Sequence, residues 1–354
     1  MKHSKLALSS IALISSIAVV SCSEQPEQAS EQAAAPRFTY PDGSPHPVTP
    51  WGDPDLRGMW PIMHLFATPL QRDPKYGERR YLTDEEWAAA QAVLQRRDER
   101  YHNEIQSGKL GMGHWAESTT RTEATRLTSL ISYPPDGRIP PLTPRGEELV
   151  PLFRSDDTRT VFDSVEDFDS WDRCITRGLP SSMLPFNYNN GIQILQSPGY
   201  VIIRLEMIHE ARIVPVDGRP PLDPDIKQWL GESRGYWDGA TLVVETTNFN
   251  GRVGMTNVGI PGSPRRDTPT TTNLKIIERF TRVSDNRIDY EMTIEDPEVL
   301  TDRWTVSYPM FLDPEYEFFE YACHEDNTAV RNFILASRHE RGLPPFGDAK
   351  QEQQ

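Results

Sequence analysis

Apolar and polar residues alternate with period two through most of the chain after Gly191, and this alternation predicts half-buried β-strands rather than helices. Ile192 to Gln196 reads as one strand and Tyr200 to Val216 as a longer one, separated by the turn residues Pro198 and Gly199. Trp237-Asp238-Gly239-Ala240 is a hairpin turn leading into a strand from Thr241 to Thr247. Leu274, Ile276 and Phe280 then alternate with polar neighbours up to Arg282, and Ser284 to Arg287 makes the next turn. Ile288, Tyr290, Met292 and Ile294 mark the following strand, and Arg303 to Met310 and Glu317 to His324 complete the series. Several short strands joined by tight turns, with no helices between them, predict an antiparallel barrel or sandwich.

The first half carries a different pattern. Thr83 and Glu86 form a capping box ahead of a helix running from Asp84 to about Asn103. Thr143-Pro144 opens a shorter helix, with proline at the first helical position. A third short helix is predicted from Ser164 to Trp171. Between the first two, Tyr133 to Leu142 holds four prolines and must be extended or turned, since proline denies both ladder and helix bonds. The fold class expected is therefore α+β: an antiparallel, lipocalin-like barrel or sandwich wrapped by N-terminal helices and proline-rich segments. Gly58-Met59-Trp60 resembles the opening strand of lipocalin-like barrels.

The N-terminus states an address. Lys2 and Lys5 precede an apolar run from Leu6 to Val20 that is too short to span a bilayer. This is the layout of an export signal. Its last residues, Val19-Val20-Ser21-Cys22, resemble the lipobox of bacterial lipoproteins, which implies cleavage before Cys22 and lipidation there, and Ser23 favours the outer membrane over the inner. Residues 22–37 are small, polar and proline-containing and read as a flexible tether, residues 38–345 as one domain, and residues 346–354 as a disordered tail.

Charge narrows the partners. Lys and Arg number 37 against 52 Asp and Glu, a formal charge of −15 that becomes more negative once Lys2 and Lys5 leave with the signal. With no basic cluster, nucleic acid and anionic lipid surfaces are excluded as partners, and the lipid anchor is left to make the membrane contact. Cys174 and Cys323 remain apart from Cys22. In an oxidising envelope such a pair forms a disulfide more often than a catalytic thiol, although two buried free thiols stay open as the alternative.

Candidate chemistry rests on a few polar residues. In a continuous strand from Val201 to Arg212, His209 would extend the apolar row of Ile203, Leu205 and Met207, while Glu206 would lie on the other face with Arg204. In a strand from Glu317 to His324, Glu320 and His324 would share a face with Phe318, and inside a barrel they would approach Glu278, Glu245 or His209. His209, His324, Glu206 and Glu320 are thus the candidates for acid–base chemistry. Arg173, Arg212 and Glu278 are the candidates for holding a ligand, with Arg219 and Arg234 as further loop arginines. Metal-ligand spacings, nucleophile elbows, phosphate loops and dinucleotide fingerprints are absent, so no metal or cofactor is expected.

The chain also resembles an uncharacterised family of exported bacterial proteins. The similar segments include Pro134-Pro-Asp-Gly-Arg-Ile-Pro-Pro-Leu-Thr143, Arg173-Cys174, Gln196-Ser-Pro-Gly-Tyr-Val-Ile-Ile203 with Glu206 and His209, and Ser233-Arg-Gly-Tyr-Trp-Asp-Gly239. Leu242-Val-Val-Glu-Thr-Thr-Asn-Phe249, Glu278-Arg-Phe-Thr-Arg282 and Tyr321-Ala-Cys-His-Glu325 continue the likeness. The resemblance implies an exported protein and carries no activity. Three functions follow as expectations: a barrel that binds a small, partly apolar molecule, a cofactor-independent acid–base enzyme, or a structural envelope lipoprotein.

Overall fold

Ten strands in two antiparallel sheets form the body of the protein, seen in a computed structural model that describes residues 37–109, 111, 125–153, 160–256, 262–264, 268–325 and 327–345. The expected signal, the lipidation at Cys22, most of the tether and the C-terminal tail lie outside the described residues. Everything described belongs to one compact unit beginning at Pro36.

The strands are β1 (Gly58–Met59), β2 (Ile131–Tyr133), β3 (Ile192–Ser197), β4 (Tyr200–Leu205), β5 (Ala211–Pro215), β6 (Glu232–Asp238), β7 (Thr241–Thr247), β8 (Lys275–Ser284), β9 (Arg287–Glu295) and β10 (Trp304–Phe311). The first sheet has the order β1-β3-β4-β5 and the second β2-β10-β9-β8-β7-β6. Of the expected barrel or sandwich, the sheets form an open sandwich and not a barrel: among the described residues no ladder joins the two sheets. Closure would require β5 to pair with β6 and β1 with β2. The β5–β6 connection carries Pro220, Pro221 and Pro224, and β1 and β2 are only two and three residues long. The short β1 and β2 offer few backbone donors for a ladder, and β5 and β6 share no paired residues.

The hairpins follow their turn chemistry. Pro198-Gly199 joins β3 to β4 with Gly199 at φ 78°, and Gly239-Ala240 joins β6 to β7 with Gly239 at φ 61°. Both glycines take a left-handed backbone that a side chain would disfavour. The inward residues of both sheets form one core, and its filling is aromatic as well as aliphatic: Trp60, Phe280, Tyr290 and Trp304 are fully buried. Phe280 and Tyr290 lie 4.8 Å apart, and Tyr290 and Tyr308 5.0 Å. Such pairs add roughly 1 kcal/mol each beyond the area they bury. The interior is packed, so the concave surfaces of this protein lie outside the sandwich.

Helix α1 (Asp84–Gln106) starts with the expected capping box, the Thr83 hydroxyl accepting from Glu86 N and the Glu86 carboxylate from Thr83 N. Helix α2 (Pro144–Leu149) is capped by Thr143, whose hydroxyl accepts from Gly146 N, with no side chain at Gly146 to return a bond. A helix from Ser164 to Trp171 does not form; only one turn at Val165–Asp167 is helical. Helix α3 (Ala329–Glu340) was not anticipated by periodicity, and it is tied back by Arg338 and Arg341, both paired with Asp163.

Two further strand expectations are corrected. Tyr200 to Val216 is a hairpin, not one strand: β4 pairs with β5, Arg204 opposite Ala211. The reversal occurs at Glu206 to Glu210, where Ile208 and His209 adopt φ 58° and 45°. Met207 and Ile208 are both buried, and the left-handed backbone at Ile208 and His209 takes the chain out of the extended conformation a continuous strand needs. Glu317 to His324 makes no ladder either; it runs as an extended strap across that hairpin.

Candidate functional site

The β4–β5 hairpin and the strap over it bring the acid–base candidates into one region without joining them. Glu206 is fully buried rather than solvated, because the reversal turns it inward. Its carboxylate accepts from Asn189 Nδ2 (3.1 Å), Gly191 N (3.0 Å), Tyr316 OH (2.6 Å) and Phe319 N (2.9 Å). Four donors satisfy a buried carboxylate, so the group serves as an anchor for residues 316–319. Gly191 permits this approach, since a Cβ there would lie 2.5 Å from Glu206 Oε2.

Glu210 is buried one step along the hairpin and accepts from the Thr176 hydroxyl, Arg177 N (2.9 Å) and Ser182 Oγ (2.8 Å). Burial still raises its carboxyl above the usual range, the three hydrogen bonds opposing. Beside it the Arg177 guanidinium is buried over the rings of Phe186 (4.9 Å) and Trp171 (5.3 Å), and desolvation brings it down to about 10. Among the described residues, five outside glycine hold a left-handed backbone. Cys174, Asn189, Ile208 and His209 are four of them, and they surround this one cluster. Local strain of this kind persists only where neighbouring contacts hold it.

His209 is exposed, and its Nδ1 lies 2.8 Å from the carbonyl oxygen of Tyr321. A carbonyl can only accept, so Nδ1 carries the proton in this contact. Glu320 and His324 are exposed on the strap. Among the described residues no hydrogen bond or ion pair joins any two of His209, His324, Glu206 and Glu320. Cys174 and Cys323 form the disulfide, with Cα atoms 5.6 Å apart, and it fastens the end of the strap. Next to it opens a cleft of about 470 Å³ walled by Trp171, Tyr188 and Tyr321, with Asp172 and Glu320 among its lining residues.

The ligand-holding candidates separate. Arg212 and Glu278 meet as a bidentate pair sealed between the sheets, 4% and 0% exposed. Tyr290 OH donates to Glu278 (2.8 Å), and Arg212 also donates to Ser233 Oγ (3.1 Å) and Thr246 Oγ1 (3.2 Å). Burial and the Glu278 carboxylate raise Tyr290 far above its ordinary value. The network links β5 to four strands of the other sheet. Arg173 is half-buried, donates to the carbonyl of Asp169 (3.1 Å) and pairs with Glu166 (3.3 Å) at the rim of another groove of about 750 Å³. Glu245 pairs with Lys275 and Arg219 with Asp217 in the open, while Arg234 pairs with the buried Glu232.

One large concavity among the described residues has no counterpart among the sequence expectations. It is a groove of about 1050 Å³ on the outer face of the six-stranded sheet. Its floor includes Asp289, Glu291, Ser307, Pro309 and Phe311, and its walls come from residues 61–64, 80–81 and 125–127. One signal was present in the sequence: Pro309 and Phe311 interrupt the polar phase of β10. His64 lies in the groove, 3.1 Å from the Pro309 carbonyl through Nε2 and 5.1 Å from the Phe311 ring. Burial drives its imidazole down to about 4 against the carbonyls of Pro309 and Pro61, so at neutral pH it is uncharged. The groove's arginines are engaged: Arg80 donates to the Ile131 (3.0 Å) and Ser307 (2.6 Å) carbonyls, Arg126 pairs with Asp84, and Arg287 with Asp289.

Among the described residues no three metal-ligating side chains stand together, and no helix is long and apolar enough to cross a membrane. No family model, curated protein or solved structure matches this chain.

Proposed function

We propose that this protein is a lipid-anchored envelope protein that binds a small, partly apolar molecule in the groove on the outer face of the six-stranded sheet. The groove itself carries the reading. Its volume suits a small organic molecule, and its lining combines apolar and aromatic surface with a few polar groups of fixed orientation. His64 is held neutral, and the arginines are engaged by carbonyls or carboxylates, so the groove offers hydrogen bonds and apolar contact rather than strong net charge. The lipobox-like sequence before Cys22 and the resemblance to exported bacterial proteins support the envelope address. The interior of the sandwich is a poorer candidate, because its space is filled by Trp60, Phe280, Tyr290 and Trp304.

The test uses anilinonaphthalene sulfonate, whose fluorescence rises on entering an apolar site. The folded chain should enhance the dye saturably, and Phe311→Glu should abolish the enhancement with an unchanged thermal midpoint, since Phe311 is 42% exposed. Equal enhancement by the variant and the parent would remove the groove as the site.

A further inference from the structure

We propose that the cleft beside the Cys174–Cys323 disulfide is a second ligand site, separate from the outer groove, and that it takes an alkylated ammonium headgroup. Three aromatic residues, Trp171, Tyr188 and Tyr321, wall the cleft; Asp172 and Glu320 bring two carboxylates, and none of its described lining residues is a lysine or arginine. An alkylated ammonium has few or no N–H groups to donate, so carbonyls and hydroxyls recognise it poorly. Aromatic faces attract it through their quadrupoles, and carboxylates nearby add long-range attraction. The cleft supplies both. The formal charge of −15 on the whole chain acts in the same direction.

Three observations bear on the assignment. Arg177 lies against the aromatic wall, buried among Trp171 and Phe186, and has the Glu210 carboxylate as its balancing charge. The cleft is also pre-built: Asn327 Nδ2 donates to the Asp172 carbonyl (2.9 Å), the disulfide fixes Cys323, and the Tyr321 carbonyl is held by His209. Finally, desolvation and the neighbouring Asp169 carboxylate push Asp172 up to about 6. A cation bound in the cleft would lower it again. A volume of about 470 Å³ accommodates such a headgroup with a short substituent.

The headgroup could belong to a free metabolite or to a lipid. The experiment is a calorimetric titration of the full chain with choline, with dimethylbutanol as its uncharged isostere, and with glycerophosphocholine as a soluble lipid headgroup. Choline should bind at least tenfold more tightly than dimethylbutanol. Glu320→Gln and Tyr321→Ala should each weaken choline binding at least fivefold, with dye binding in the outer groove retained. Tighter binding of glycerophosphocholine than of choline assigns the lipid source, and the reverse assigns the free cation. The proposal is overturned if choline does not bind, if it binds no better than dimethylbutanol, or if Glu320→Gln, an exposed and near-isosteric change, leaves the affinity unaltered. Because the outer groove is tested by Phe311→Glu against the dye and the cleft by Glu320→Gln against choline, failure here and failure there are distinguishable.

Discussion

Arg212 and Glu278 illustrate at the scale of single residues how a polar pair can define a fold while offering nothing to a ligand. Both carboxylate oxygens are engaged by the guanidinium, and both residues are sealed between the sheets. Removing one partner strands the other charge, which typically costs about 3–5 kcal/mol, whereas replacing both by apolar groups is often nearly neutral. Arg212→Met should therefore lower stability by about that amount in urea denaturation. Arg212→Met with Glu278→Leu should recover most of the loss, and a double variant as unstable as the single one would refute this account. His64 gives a second prediction. Its folded value of about 4 lies below the ordinary 6.5, so the stabilisation is complete above pH 6.5 and is lost as pH falls towards 4. The loss amounts to about 3 kcal/mol at most. Thermal midpoints between pH 7 and pH 4 should fall less steeply for His64→Gln than for the parent. Arg212 and Glu278 read from the sequence as ligand-holding residues, yet the structure pairs them with each other; His64 lies in a stretch without period and gives no such signal.

Elements show which kinds of sequence information suffice. The capping box at Thr83 and the turns at Pro198-Gly199 and Gly239-Ala240 are local chemistry, and the structure follows them. The strands β3 and β8 to β10 follow from alternation, because each buries one face against a common core, whereas β7 is buried on both faces from Thr241 to Val244 and is announced by the turn at Gly239-Ala240. The strap from Tyr316 to Glu325 alternates as well, yet its polar contacts go to the Glu206 carboxylate and to His209, which lie more than a hundred residues earlier. Such a partner has no local signature. The Glu206 to Glu210 reversal is illegible for a related reason: it requires left-handed Ile208 and His209, neither a residue that suggests a turn. The pairing of Cys174 with Cys323 was expected from compartment and count, and the two are bonded across a separation of 149 residues. Cys323→Ser should lower stability by about 2–5 kcal/mol. Limited proteolysis should then cut between Tyr316 and Thr328 before it cuts the sheets; resistance equal to the parent's would show that the Glu206 contacts hold the strap unaided.

For the whole molecule, the open sandwich relocates function from inside to outside. A barrel would have enclosed Glu206, Glu278 and the histidines around one cavity. Two sheets with a packed interior leave the outer groove and the disulfide cleft on separate surfaces instead. The proposed anchor at Cys22 would hold both at the membrane without help from charge, since a chain at −15 has no electrostatic attraction to an anionic bilayer. Cys22→Ser should abolish incorporation of labelled palmitate and move the protein from the membrane to the soluble envelope fraction. Unchanged fractionation with no label incorporated would require a different means of attachment.

The strap also decides where this chain can be shortened. The end of β10 at Phe311 completes the last strand and looks like a natural boundary for a trimmed fragment. A fragment ending there would lack Tyr316 and Phe319, two of the four donors to the Glu206 carboxylate, and would leave Cys174 as an unpaired thiol able to cross-link copies. Safe boundaries lie beyond Glu340, after the last helix has been secured to Asp163.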